Sequence, residues 1–224
     1  MKKLLPLLAV LLLLDLSGSD YKTLMKEAAS AVKRKHTALA LQKYSEAYLA
    51  AGNSDERYQN VIDRTRLLAS LKKRDALKKM LEAELRKPDY SPVQKQQMLH
   101  RLAGQFLWTN DYQYALDKLN LALCMQDGVG LHSVFYFSLC HHASLIYLNK
   151  KKEYEPVILL MEPLTLLCEY DVNRIVVYTM LAKAYAKLNR TEDAVRNYRA
   201  AIMLGKKMKK DTSKLEQELD NLSK

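Results

Sequence analysis

The densest cluster of reactive side chains is Cys140-His141-His142, a thiol beside two imidazoles. Thiolates and imidazoles ligate zinc and related cations, so metal binding is the first chemistry to weigh. Adjacent residues on a helix point about 100° apart, and His141 and His142 therefore cannot easily share one ion. Groove lining or packing is the expected role. The three cysteines, Cys124, Cys140 and Cys168, lie among apolar neighbours without a Cys-x-x-Cys spacing. They read as small buried hydrophobes. An odd number leaves at least one thiol unpaired, and one disulfide remains open without a choice of partners. The carboxylate pairs Glu82/Glu84 and Asp55/Glu56 read as ordinary solvated helix positions. There is no Gly-rich phosphate loop, Gly-x-Ser-x-Gly elbow or His-Glu-x-x-His motif. The expectation is a chain that is not an enzyme, with no cofactor, metal site or small-molecule substrate.

The elements that carry these residues should be helical. Across 224 residues there are only 6 glycines and 5 prolines, while 49% of the chain is hydrophobic. That leaves little material for β-turns and favours helices. The net charge is +11, with basic clusters at Lys33-Arg34-Lys35, Lys72-Lys73-Arg74, Lys150-Lys151-Lys152 and Lys206-Lys207 followed by Lys209-Lys210. Each falls at an expected helix end or turn, where cations complement the helix dipole. Such charge is also compatible with attraction to an anionic surface.

Met1-Lys2-Lys3, the apolar run Leu4 to Leu14 and the small residues around Ser17-Gly18-Ser19 have the pattern of a secretory signal. Eleven helical residues span roughly 16 Å, about half of a ~30 Å hydrocarbon core. The expected organisation is a signal peptide over 1–19 and a mature region over 20–224, exported to a bacterial periplasm or cell envelope. An uncleaved anchor is the alternative. Leu16-Ser17-Gly18-Ser19 is similar to a lipoprotein signal, but Ser19 stands where the lipidated cysteine is required, so no lipidation is expected.

A repeat organises the rest. Tyr178, Leu181, Ala182 and Tyr185 fall on one expected helix, with Ala194, Tyr198 and Ala201 on the next. Leu99, Leu102, Ala103 and Phe106, followed by Ala115, Leu119 and Ala122, repeat the pattern. Partial versions are Ala40/Tyr44/Ala47, Ala76/Met80/Ala83, and Ala143/Ser144/Tyr147, with Pro156 and Pro163 replacing alanines in the fourth unit. Unit starts near 21, 57, 96, 137 and 175 give units near 21–54, 57–90, 96–129, 137–170 and 175–208. Their spacing exceeds the ~34-residue tetratricopeptide period, which assigns extra residues to junctions such as Lys87 to Pro92 and Asp127 to Gly130.

These residues resemble the tetratricopeptide repeat family. The resemblance implies an all-α fold, a right-handed α-α superhelix of about five helical hairpins. Ser213-x-x-Glu216 reads as a capping box that starts a C-terminal capping helix over 212–223 with a Leu215/Leu219/Leu222 stripe. Pro163 should kink its helix.

The resemblance also implies a concave groove lined by the first helix of each unit. Its expected peptide-binding residues are Tyr58, Val61, His100, Leu107, Trp108, His141, Leu145, Thr179 and Lys183, with Leu148 and Ala186 among further inward positions. His142 should face elsewhere. Trp108 sits at the groove rim, as a binding hot spot or as packing at the hairpin turn. The expected function is a non-enzymatic scaffold or adaptor that binds a protein or peptide partner. The rival is a basic binder of an anionic membrane surface or nucleic acid, the latter disfavoured by the export signal.

Overall fold

The computed structural model describes residues 20–125 and 134–222, and among them it holds helices and no strand. The signal-peptide reading over 1–19 and the Asp127–Gly130 junction lie outside the described residues. No helix among the described residues is long and apolar enough to cross a membrane. The chain divides into two compact units, with the boundary in the sequence between Gln94 and Lys95.

In the first unit, α1 (Tyr21–Lys33) starts where the Asp20 carboxylate accepts from the Thr23 amide at 2.7 Å. It pairs with α2 (Thr37–Ala50). Ala28 and Ala31 of α1 and Ala40, Tyr44 and Ala47 of α2 are buried, so small side chains let the two backbones nest. Then α3 (Ser54–Ser70) packs on α2, and α4 (Arg74–Leu85) packs on α3. The buried Asn60 amide on α3 donates to the Tyr44 carbonyl at 2.8 Å, tying α3 to α2.

The expected α4 register needs correction. Ala76 and Ala83 are exposed, whereas Leu77, Leu81 and Glu84 are buried. One residue along a helix is a 100° rotation, and the larger apolar area of the leucines wins the inward face over the alanines.

In the second unit, α5 (Pro92–Gly104), whose first residues belong to the first unit, is followed by α6 (Tyr112–Leu123). Ala115, Leu119 and Ala122 are buried as the repeat pattern requires. The α5 and α6 backbones approach less closely than α1 and α2, and side chains join them. Gln96 donates to the Ala122 carbonyl at 2.8 Å, and Phe106 meets the edge of Tyr114 at 5.1 Å.

Helix α7 (Val134–Ile146) packs on α6 and runs into a π turn, Tyr147–Lys151. It is followed by α8 (Glu155–Met161) and the short α9 (Leu164–Leu167). Pro163 does more than kink the run. Without an N–H it ends α8, and the chain restarts as α9. Helices α10 (Asp171–Lys187) and α11 (Thr191–Lys207) form a close hairpin, with Leu181, Ala182, Tyr185, Ala194, Tyr198 and Ala201 all buried. Cys140, Val157, Met161, Leu164, Val177 and Leu181 centre the core beneath them.

The last helix, α12 (Ser213–Leu222), covers α11 and contains no fully buried residue. Its start also corrects the expected cap. Thr212, not Ser213, precedes the helix, and its hydroxyl donates to Glu216 at 3.1 Å.

One turn recurs at three of the basic clusters and again at Asn189. Lys35, Lys72, Asn189 and Lys209 each adopt a left-handed conformation, with φ between 54° and 60°. In each, the next amide reaches back five residues, as in His36 to Ala31, Lys73 to Leu68, Arg190 to Tyr185 and Lys210 to Gly205, all at 2.9 Å. This is the Schellman closure of a helix. Lys152 (φ 59°) ends the π turn with a wider closure, Glu153 to Tyr147 at 3.1 Å.

Candidate ligand-binding site

An opening belongs to the second unit, where the end of the π turn faces α10, α11 and α12. It is an open cavity of about 470 Å³, large enough for a few side chains of a ligand. Leu148, Asn149 and Lys152 line it from the π turn and its end, with Tyr154 just beyond. Lys183, Ala186 and Lys187 come from α10, Tyr198 from α11, and Glu218 and Asn221 from α12. The π turn matters here because its extra backbone width places Leu148, Asn149 and Lys152 on one rim.

Three ammonium groups and one carboxylate therefore share the cavity. The carboxylate is partly spoken for. Tyr198 donates its hydroxyl to Glu218 at 2.8 Å, and Lys183 Nζ lies 3.4 Å from the other Glu218 oxygen. Burial first, and then the bond to Glu218, holds the Tyr198 hydroxyl well above the usual phenol range, so it stays a donor. The arrangement supplies cationic and hydrogen-bonding groups over an apolar wall, with no convergent acid–base pair.

A second cluster lies between α5 and α7. His100 and His142 are hydrogen-bonded ring to ring at 2.9 Å, and the Ser138 hydroxyl lies 3.1 Å from the same His100 nitrogen. Phe135 meets the His100 ring edge-on, and Phe137 stacks on His141. Burial pushes His100 down to about 4, with the His142 and Arg101 charges adding to it. Burial and the His142 charge push His141 down to about 4 as well. Among the described residues, no group of three or more histidines, cysteines or acids is arranged to hold a metal ion.

The expected groove residues divide. Lys183 lines the cavity beside Leu148 and Ala186, two further inward positions. His100 is brought to His142, which was expected to face elsewhere, while His141 stacks on Phe137. Val61 and Leu107 need correction, because they are 0% and 5% exposed and act as core rather than lining. Tyr58 and Leu145 are half-buried, and Leu145 packs against the core. Thr179 donates to its own helix, at the Ile175 carbonyl. Trp108 is 64% exposed, so it does not serve as buried turn packing. Cys140 and Cys168 are buried as expected, but Cys124 is exposed, and the disulfide left open by the sequence is not formed, since all three thiols are free.

Sequence reasoning missed Lys152, Lys187, Tyr198, Glu218 and Asn221 as members of one site. The only signal was the basic cluster Lys150-Lys151-Lys152, which marks a turn without showing what faces it. It also missed Glu84 in the first unit. This carboxylate was expected to be solvated but is 7% exposed. It accepts from Tyr48 at 2.9 Å, Tyr90 at 2.6 Å and Lys87 at 3.0 Å.

No family model matches this chain, and no curated protein matches it significantly.

Proposed function

We propose that this chain is a non-enzymatic binding module whose hairpins belong to a tetratricopeptide-like right-handed superhelix, exported to the bacterial envelope. Its task is to hold a segment of a partner protein. The observation that carries this reading is the open cavity lined by Leu148, Lys183 and Ala186, three positions that the repeat pattern points inward. Buried alanines at the nested hairpins and the recurring Schellman turns support the repeat architecture. An apolar floor with a few fixed polar groups suits a peptide segment, where side chains supply area and the lysines and tyrosine supply orientation.

The test is affinity capture from envelope extracts with the full chain and with a Lys183→Glu/Ala186→Arg variant. Loss of specific partners with the variant is the expected result. Identical catches would mean that this cavity is not the binding surface. Circular dichroism of both proteins keeps a folding defect from being mistaken for a binding defect.

A further inference from the structure

Resting on the reading of this cavity as the binding site, we infer that its partner segment is acidic and that α12 holds the place of that segment through Glu218 until it arrives. Glu218 is the one carboxylate in the cavity, and it already makes the contacts an incoming carboxylate would make. Lys183 supplies the charge and Tyr198 the hydroxyl donor. Beside them, Lys152 and Lys187 have no carboxylate partner among the described residues, although they line the same cavity. The site therefore presents more positive charge than its internal occupant satisfies. A segment with several carboxylates satisfies Lys183, Lys152 and Lys187 together, whereas Glu218 satisfies only the first.

The occupant is also built to leave. No residue of α12 is fully buried, and its leucine stripe is only half-covered. Its other polar anchors are the single Thr212–Glu216 bond at the helix start and the Lys206–Glu216 pair at 2.8 Å, which joins side chains that are 65% and 41% exposed. Exposed pairs of this kind contribute little, so α12 opens at lower cost than the α10–α11 hairpin, with its continuous buried face. Displacement costs the protein few buried contacts, and the acidic segment returns more ion pairs than Glu218 gives up.

The probe is a capped, fluorescein-labelled hexaglutamate peptide added to the full chain, with affinity read by anisotropy. Removing the competing carboxylate in Glu218→Gln should tighten binding about fivefold, and Lys183→Gln or Lys187→Gln should weaken it about fivefold. Hydrogen exchange over residues 213–222 should quicken on binding, because α12 leaves the cavity. Unchanged affinity in Glu218→Gln, or unchanged exchange over α12, overturns the inference. Equal weakening by Lys22→Gln, a lysine in the other unit, also overturns it, since that result means diffuse charge attraction. If hexaglutamate fails to bind while Lys183→Glu/Ala186→Arg still loses envelope partners, the acidic inference falls and the binding module stands.

Discussion

His100 Nε2 on α5 and His142 Nδ1 on α7 stand 2.9 Å apart, so one ring must donate a proton and the other must accept. Both rings cannot become imidazolium and keep that bond, because both facing nitrogens would then be donors. The groups around it do not favour charge either. Arg101 acts against protonation of His100, His142 acts against protonation of His100 and His141, and burial acts against all three. The cluster is held together as neutral imidazoles, a clasp between two helices whose backbones other contacts do not bring close.

This predicts acid-sensitive stability. His100 and His141 drop to about 4 in the folded chain, against the ordinary 6.5 of an imidazole, and His142 is also lowered. Between those limits the unfolded chain binds more protons than the folded one, so stability rises with pH through the window and is lost as pH falls below about 6.5. His100 and His141 should each cost on the order of 1–2 kcal/mol by pH 4.5, less than the full shift implies because the rings keep some solvent contact, and His142 adds a loss of the same sign. Urea midpoints at pH 7 and pH 4.5 measure it. In a His100→Gln/His142→Gln variant the drop should shrink, and an undiminished drop would assign the acid sensitivity elsewhere.

A buried carboxylate carries the second prediction. Glu84 collects Tyr48 and Lys87 beside it and Tyr90 from the loop after α4, with Lys87 also donating to the Tyr48 hydroxyl. Removing it leaves the buried Tyr90 phenol and the half-buried Tyr48 phenol without their common acceptor and Lys87 without its ion pair, and an unsatisfied buried donor is costly. Glu84→Ala should destabilise the chain by about 2–4 kcal/mol, whereas Glu169→Ala, at an exposed carboxylate, should change it by less than about 0.5 kcal/mol. Chemical denaturation of the two variants decides the matter, and equal effects would remove Glu84 from its structural role.

That contrast shows where the sequence was legible. The alanine pattern marks the α1–α2 and α10–α11 hairpins because small residues at spacings of four and three have few uses besides close helix approach. In α4 two registers were available one residue apart, and the pattern could not weigh Leu77 and Leu81 against Ala76 and Ala83. Glu84 was invisible for a different reason. A charged residue on an apolar face reads as solvated, and its partners Tyr48 and Tyr90 lie 36 and 6 residues away. The cavity was half legible. Leu148, Lys183 and Ala186 follow from the repeat, but Lys152 depends on the π turn, and Glu218 depends on how α12 returns across α11.

That return depends on Gly205. A β-carbon there would lie 2.6 Å from the Thr212 methyl, closer than two carbons can pack, so the missing side chain is what lets Thr212 settle against α11. Thr212 is 7% exposed, and its hydroxyl is committed to Glu216. Gly205→Ala forces Thr212 to rotate or withdraw, breaking that bond and loosening the first turn of α12. Alanine is otherwise the better helix former by about 1 kcal/mol, so a neutral position would gain stability from this change. The expected outcome is the opposite sign locally, with faster hydrogen exchange over 213–222 and unchanged exchange over the α10–α11 hairpin. Slower exchange across α12 would show that the close approach is not what seats the helix.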